Sequence, residues 1–219
     1  MITADFRGAA FIEHLKALPC YAGLDLAAVS DLTAFVLAWP LNDRVATYPW
    51  FFLPTEGLAE RCQHDGVRYD LWARQGFLEL TPGKVTEWQY VVGRIKQLAE
   101  ALNIRSISYD TYGARDTVAS LLETGIETKP FRQSYAGMGA PAKRVEALVM
   151  TGKLIHTGHP VLRWNMDCVR MERDYADNIR PVKPKRGMSS KRIDGIVAMI
   201  MAVGGLMDAE QNAGPVEFW

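Results

Sequence analysis

The chain has 219 residues, 48% of them hydrophobic and 23% charged, enough apolar material for one sizeable core and too little charge for a disordered polymer. Lys plus Arg and Asp plus Glu each number 25, so the formal net charge is zero, and any contact with nucleic acid has to come from a local basic patch. The three cysteines, Cys20, Cys62 and Cys168, are far apart and odd in number, which fits a reducing compartment better than a disulfide framework. The longest apolar run near the C-terminus, residues 196–203, is too short to span a bilayer, so no membrane partner is expected.

In chain order, residues 1–18 read as a lead-in with a short helical stripe (Phe11, Ile12, Leu15). Residues 20–26 read as a strand with Asp25 on the face opposite Cys20, Ala22 and Leu24. A continuous apolar run over 32–39, a turn at 41–44 and a strand over 45–53 interrupted by Pro49 complete a three-stranded meander. The Gly- and Pro-bearing stretch 54–83 predicts a short helix near 56–65 and a small strand at 77–80. Helical spacing of Trp88, Val92, Ile95 and Leu98 predicts a helix over 84–102.

A fourth strand over 104–109 ends in Asp110, and a helix over about 115–122 stops at Gly125. A strand at 126–131 and a helix over about 140–150 follow, with Gly137 and Gly139 read as a turn. Residues 161–174 and 179–182, flanking a turn at 175–178, predict a β-hairpin over about 161–182. The final helix is expected over about 190–207, with Ile193, Ile196, Val197, Ile200 and Met201 as its apolar stripe and Asp194 at the border. The resulting class is α/β, a mixed β-sheet with flanking helices and an auxiliary β-hairpin. The domain is expected over 19–210, with a tail at 211–219.

Asp25, Asp110 and Asp194 then stand at the ends of three elements. If the strands of Asp25 and Asp110 are parallel neighbours, they lie ~4.8 Å apart and the two acids share one sheet edge. Three converging carboxylates repel one another, and two hard divalent cations such as Mg²⁺ or Mn²⁺ relieve that repulsion and can support phosphodiester hydrolysis. Taken singly, each aspartate also reads as an ordinary cap or turn residue.

Five segments in order resemble the nuclease domain of the tailed-phage terminase large subunit. They are residues 23–34 (GLDLAAVSDLTA), 65–72 (DGVRYDLW), 108–114 (SYDTYGA), 159–165 (HPVLRWN) and 191–202 (KRIDGIVAMIMA). The resemblance implies an RNase H-like, integrase-like fold and two-metal endonucleolytic cleavage of double-stranded, concatemeric DNA during genome packaging. It matches Asp25, Asp110 and Asp194 to the family's catalytic, metal-binding acids, and Asp31 to a further acidic position near the site. It further implies a packaging ATPase domain, a portal and a small terminase subunit as partners, and the host cytoplasm as location, for a viral protein that is not a stable part of the virion. Two departures stand out: His159 precedes Pro160 where the family pattern leads one to expect asparagine, and no phosphate loop of the GxxxxGK(S/T) form occurs, so no ATPase domain is expected in this chain.

Residues 180–192 hold Arg180, Lys183, Lys185, Arg186, Lys191 and Arg192 with no acid among them. They are the candidate DNA-binding residues, through phosphate contacts; the alternative is a solvated loop. His156, His159 and Cys168 lack a fourth ligand at zinc spacing. Two other readings stay open: a resolvase- or transposase-like enzyme of the same fold, and a non-catalytic module docking to DNA or the portal.

Overall fold

The computed structural model describes residues 6–26, 32–111, 115–184 and 191–212. Its elements in chain order are α1 (Phe6–Leu15), β1 (Cys20–Asp25), β2 (Thr33–Leu41), β3 (Arg44–Pro54), α2 (Leu58–Asp65), α3 (Tyr69–Arg74), β4 (Glu79–Thr81) and α4 (Trp88–Ala101). Then come β5 (Ile104–Asp110), α5 (Arg115–Leu122), β6 (Glu127–Phe131), α6 (Tyr135–Met150), β7 (Leu154–Ile155), α7 (Pro160–Cys168), β8 (Arg170–Arg173), β9 (Ile179–Val182) and α8 (Asp194–Asn212).

One mixed sheet runs β4-β3-β2-β1-β5-β6, with β7 also on β3. The β1–β2 and β2–β3 pairs are antiparallel, and β1–β5 and β5–β6 are parallel. β2 reads as unbroken apolar sequence because both of its faces are covered. Phe35, Leu37 and Trp39 pack with Ile12 and Leu15 of α1 and Val91, Val92, Ile95 and Leu98 of α4. Ala34, Val36 and Ala38 pack on the other face, which α8 covers. The stripe expected as a lead-in is therefore part of the packed domain.

The strand expected to break at Pro49 runs through it. The Val45 N–H donates to the Lys153 carbonyl of the outer neighbour at 3.1 Å, so odd-numbered β3 residues turn their nitrogens away from β2. Pro49 faces the gap between the stretches that β7 and β4 pair with, where no N–H is required.

Residues 160–168 are the helix α7 and not the first arm of a hairpin. Val161, Leu162, Asn165 and Cys168 are its buried residues, a helical spacing, and Pro160 occupies its first turn, where a missing N–H does no harm. The hairpin is confined to β8 and β9, and the expected turn between them is present, with Asp174 Oδ1 accepting from the N–H groups of Ala176 and Asn178 at 2.9 and 2.8 Å. Helix α6 begins at Tyr135, capped by Ser134, whose Oγ accepts from the Gly137 N–H at 3.2 Å; the glycine pair read as a turn lies inside it. Helix α3 has no counterpart in the sequence expectations. Helix α8 is enclosed by the sheet, α6 and α7, and every residue from Asp194 to Leu206 is buried, so Asp194 sits inside the buried face and not at its border.

Candidate metal centre

Strand alternation sets the first two acids. Cys20, Ala22 and Leu24 face the α4 side, so Tyr21, Gly23 and Asp25 face α8. On β5, Ile107 and Tyr109 face the α4 side, leaving Ser106, Ser108 and Asp110 toward α8. Leu24 pairs with Tyr109, so the next residues along the two parallel strands, Asp25 and Asp110, lie side by side on one face at one edge.

The third acid arrives with α8. A Cβ on Gly23 would lie 1.9 Å from the Ala198 carbonyl oxygen and 2.7 Å from the Ala202 nitrogen, so the helix backbone rests directly on β1. Asp194, one turn before Ala198, is thereby brought toward the end of β1.

The electrostatics record this approach. Asp25 is held well above the ordinary carboxylate range, first by burial and then by the negative charge of Asp194; Asp110 adds to the rise. Two groups oppose it: Gln133, whose Nε2 donates to Asp25 Oδ1 at 3.1 Å, and the Lys183 ammonium. Among the described residues, no three His, Cys, Asp or Glu side chains already close around one point. The three aspartates are neighbours through charge, and like-charge repulsion opposes any tighter approach. The donor set is all oxygen, which suits hard divalent cations, and a cation there would offset the repulsion that raises Asp25. Asp25, Asp110 and Asp194 are thus the residues that could hold a metal.

The other singled-out residues divide. Asp31, Lys185 and Arg186 lie outside the described residues. Lys183 is exposed at the end of the hairpin, and its charge reaches Asp25. The Arg180 guanidinium lies 4.4 Å over the Tyr135 ring and 3.6 Å from Glu172. Lys191 is half-buried. Arg192 is buried in an ion pair with Asp65 at 3.1 Å, an internal contact that turns it away from the solvent-facing role expected of a phosphate-binding residue.

His159 is a core residue, with ring contacts to Tyr48, Phe51 and Phe77 at 5.8, 5.4 and 5.0 Å, and burial depresses it to about 3. On α7, within the segment expected as a hairpin arm, Asn165 is buried and Asp167 exposed. Gln133 was missed, because a glutamine between a strand and a helix carries no spacing signal.

Residues 13–210 match the family described as "Terminase large subunit, endonuclease domain". The large terminase subunit of Enterobacteria phage HK97 is 34% identical over 187 residues, which is 84% of this chain and 36% of the HK97 protein. The crystal structure of the HK97 large terminase superposes with a TM-score of 0.77 at 30% identity, over 92% of this chain and 43% of that one. The large terminase nuclease of thermophilic phage G20c, solved with bound magnesium, superposes with a TM-score of 0.53 at 16% identity over 84% of this chain and 79% of its own, a likeness of fold. This chain therefore spans less than half of the HK97 protein, and its sheet, flanking helices and separate hairpin form the RNase H-like fold of these nuclease domains. The chain belongs to the endonuclease-domain family of terminase large subunits.

Proposed function

We propose that the chain is an endonuclease that cuts both strands of duplex DNA with two divalent cations, and that its substrate is concatemeric DNA undergoing packaging. The observation that carries this reading is geometric: parallel β1 and β5 end side by side in Asp25 and Asp110, and α8, resting on β1 at Gly23, brings the charge of Asp194 to Asp25. Asp25, Asp110 and Asp194 would hold the ions, Asp25 and Asp110 from the strand ends and Asp194 from α8. Mg²⁺ or Mn²⁺ at these positions would supply an activated water and stabilise the departing oxygen, so no side chain has to serve as general base. Gln133 orients the Asp25 carboxylate through Oδ1. Lys183, whose charge reaches Asp25, contacts DNA phosphates, and Lys185, Arg186 and Lys191 are assigned the same role from the basic run of the sequence, through local charge in a chain of zero net charge.

The same reading makes the packaging ATPase domain, the portal and the small terminase subunit the partners, and the host cytoplasm the place of action. Among the described residues no helix is long and apolar enough to cross a membrane.

The test is cleavage of supercoiled plasmid in Mn²⁺ by the parent and by Asp194→Ala. The parent cuts and the variant does not. An intact plasmid with both proteins overturns the nuclease reading in favour of a non-catalytic docking module, which the zero net charge also suits. A strong preference for branched over linear duplex would point instead to a resolvase-like enzyme.

A further inference from the structure

Asp194 opens α8, so the position of its carboxylate depends on where that helix starts. Side chains distant in sequence grip that start on both sides of the aspartate. Downstream, Asn165 of α7 is fully buried, and its Oδ1 accepts the Gly195 N–H at 2.8 Å. That N–H is among the first-turn donors a helix cannot satisfy itself, so Asn165 performs from thirty residues away what a capping side chain performs locally. The approach needs a glycine: a Cβ on Gly195 would lie 2.6 Å from Phe51 and 2.8 Å from the same Asn165 oxygen.

Upstream, Arg192 pairs with Asp65 at 3.1 Å, their side chains 8% and 2% exposed. Asp65 is itself fixed, because the Tyr69 hydroxyl donates to its Oδ2 at 2.7 Å. The end of α2 and the start of α3 are thereby tied to the segment that leads into α8.

We infer that Asn165 and the Asp65–Arg192 pair are positioning residues that set the Asp194 carboxylate relative to Asp25 and Asp110. The inference rests on the reading of Asp194 as a metal-holding acid. Arg192 and Gly195 bracket Asp194 within two residues, so the chain between the two grips has little freedom to move the carboxylate. The Asn165 oxygen is already engaged by a backbone N–H, and Asp65 by Arg192 and Tyr69, which makes them supports for a ligand and not ligands themselves. Side chains that orient metal-holding groups in this way alter metal affinity by about 10–100-fold when changed.

The test measures Mn²⁺ affinity by electron paramagnetic resonance on the full chain, beside its melting temperature without metal. Asn165→Leu removes the acceptor. Asp65→Asn removes the charge while keeping the shape and one acceptor oxygen, and its melting temperature reads what the unpaired Arg192 costs the fold. Each is expected to weaken Mn²⁺ binding by about tenfold or more, and neither weakens it further once Asp194→Ala is present. Leu98→Ala, beneath the opposite face of the sheet, lowers the melting temperature but leaves Mn²⁺ affinity unchanged. Parental Mn²⁺ binding by the folded variants overturns the positioning role and leaves the nuclease reading standing. Failure of the parent itself to bind Mn²⁺ overturns both.

Discussion

Substituting Gly23 by alanine tests whether the contact between β1 and α8 assembles the centre. The added methyl would lie 1.9 Å from the Ala198 carbonyl oxygen, where ordinary contact begins near 3.4 Å, so the helix has to withdraw by about 1.5 Å. Neither partner has a side-chain rotamer to yield, because the opposing atoms are backbone. β1 cannot recede, since it is held between β2 and β5. Overpacking of this kind destabilises by about 1–3 kcal/mol, which in a domain of this size lowers the melting temperature by about 2–12 °C. The larger effect falls on function: a misplacement of about 1 Å at a reacting centre can lower the rate about 100-fold, and here Asp194 moves relative to Asp25 and Asp110. Plasmid cleavage in Mn²⁺ and thermal melting followed by circular dichroism read the two consequences separately. A Gly23→Ala protein that melts with the parent and cuts at the parental rate would refute the claim that direct helix-on-strand contact sets the centre.

Two further predictions concern titration. Asp25 titrates above its ordinary value, so the folded chain retains a proton that the unfolded chain has released, and the metal-free protein loses stability as pH rises through that window. Asp25→Asn is therefore expected to melt higher than the parent at neutral pH in chelator, to match it in acid below the unfolded carboxylate range, and to be inactive; a lower neutral melting temperature would contradict the raised titration. His159 titrates the other way, depressed by burial from 6.5 to about 3, so it contributes stability that is present above 6.5 and lost as pH falls through about 3. The contribution across that window is on the order of 5 kcal/mol, and His159→Phe, which fits among Tyr48, Phe51 and Phe77, should lose less stability than the parent over the same descent; parallel melting curves against pH would show that the histidine does not titrate as its burial requires.

The elements near the proposed centre were legible because their signals are local. The apolar run of β2, the alternation of β1 ending in Asp25, the strand ending in Asp110 and the long apolar helix carrying Asp194 follow from periodicity within a few residues. The misreadings occurred where a local preference yields to a neighbour. Pro49 passes through a strand because the outer edge of the sheet is open at that residue. Residues 160–168 contain enough β-compatible side chains to pass for a strand, yet burial of Val161, Leu162, Asn165 and Cys168 against neighbouring elements selects the helix.

By itself, then, the sequence determined the α/β class, the order of most elements and the three aspartates as candidates, since each rests on short-range pattern or motif. The tertiary structure alone decided that β1 and β5 are parallel neighbours, that a side-chain-free position at Gly23 lets α8 rest on β1, and that Gln133, Asn165 and the Asp65–Arg192 pair stand around the acids. The physical reason is one of range: secondary-structure preference is written over a few residues, whereas a hydrogen bond between residues 30 or 127 positions apart exists only after the chain has folded and buried both partners.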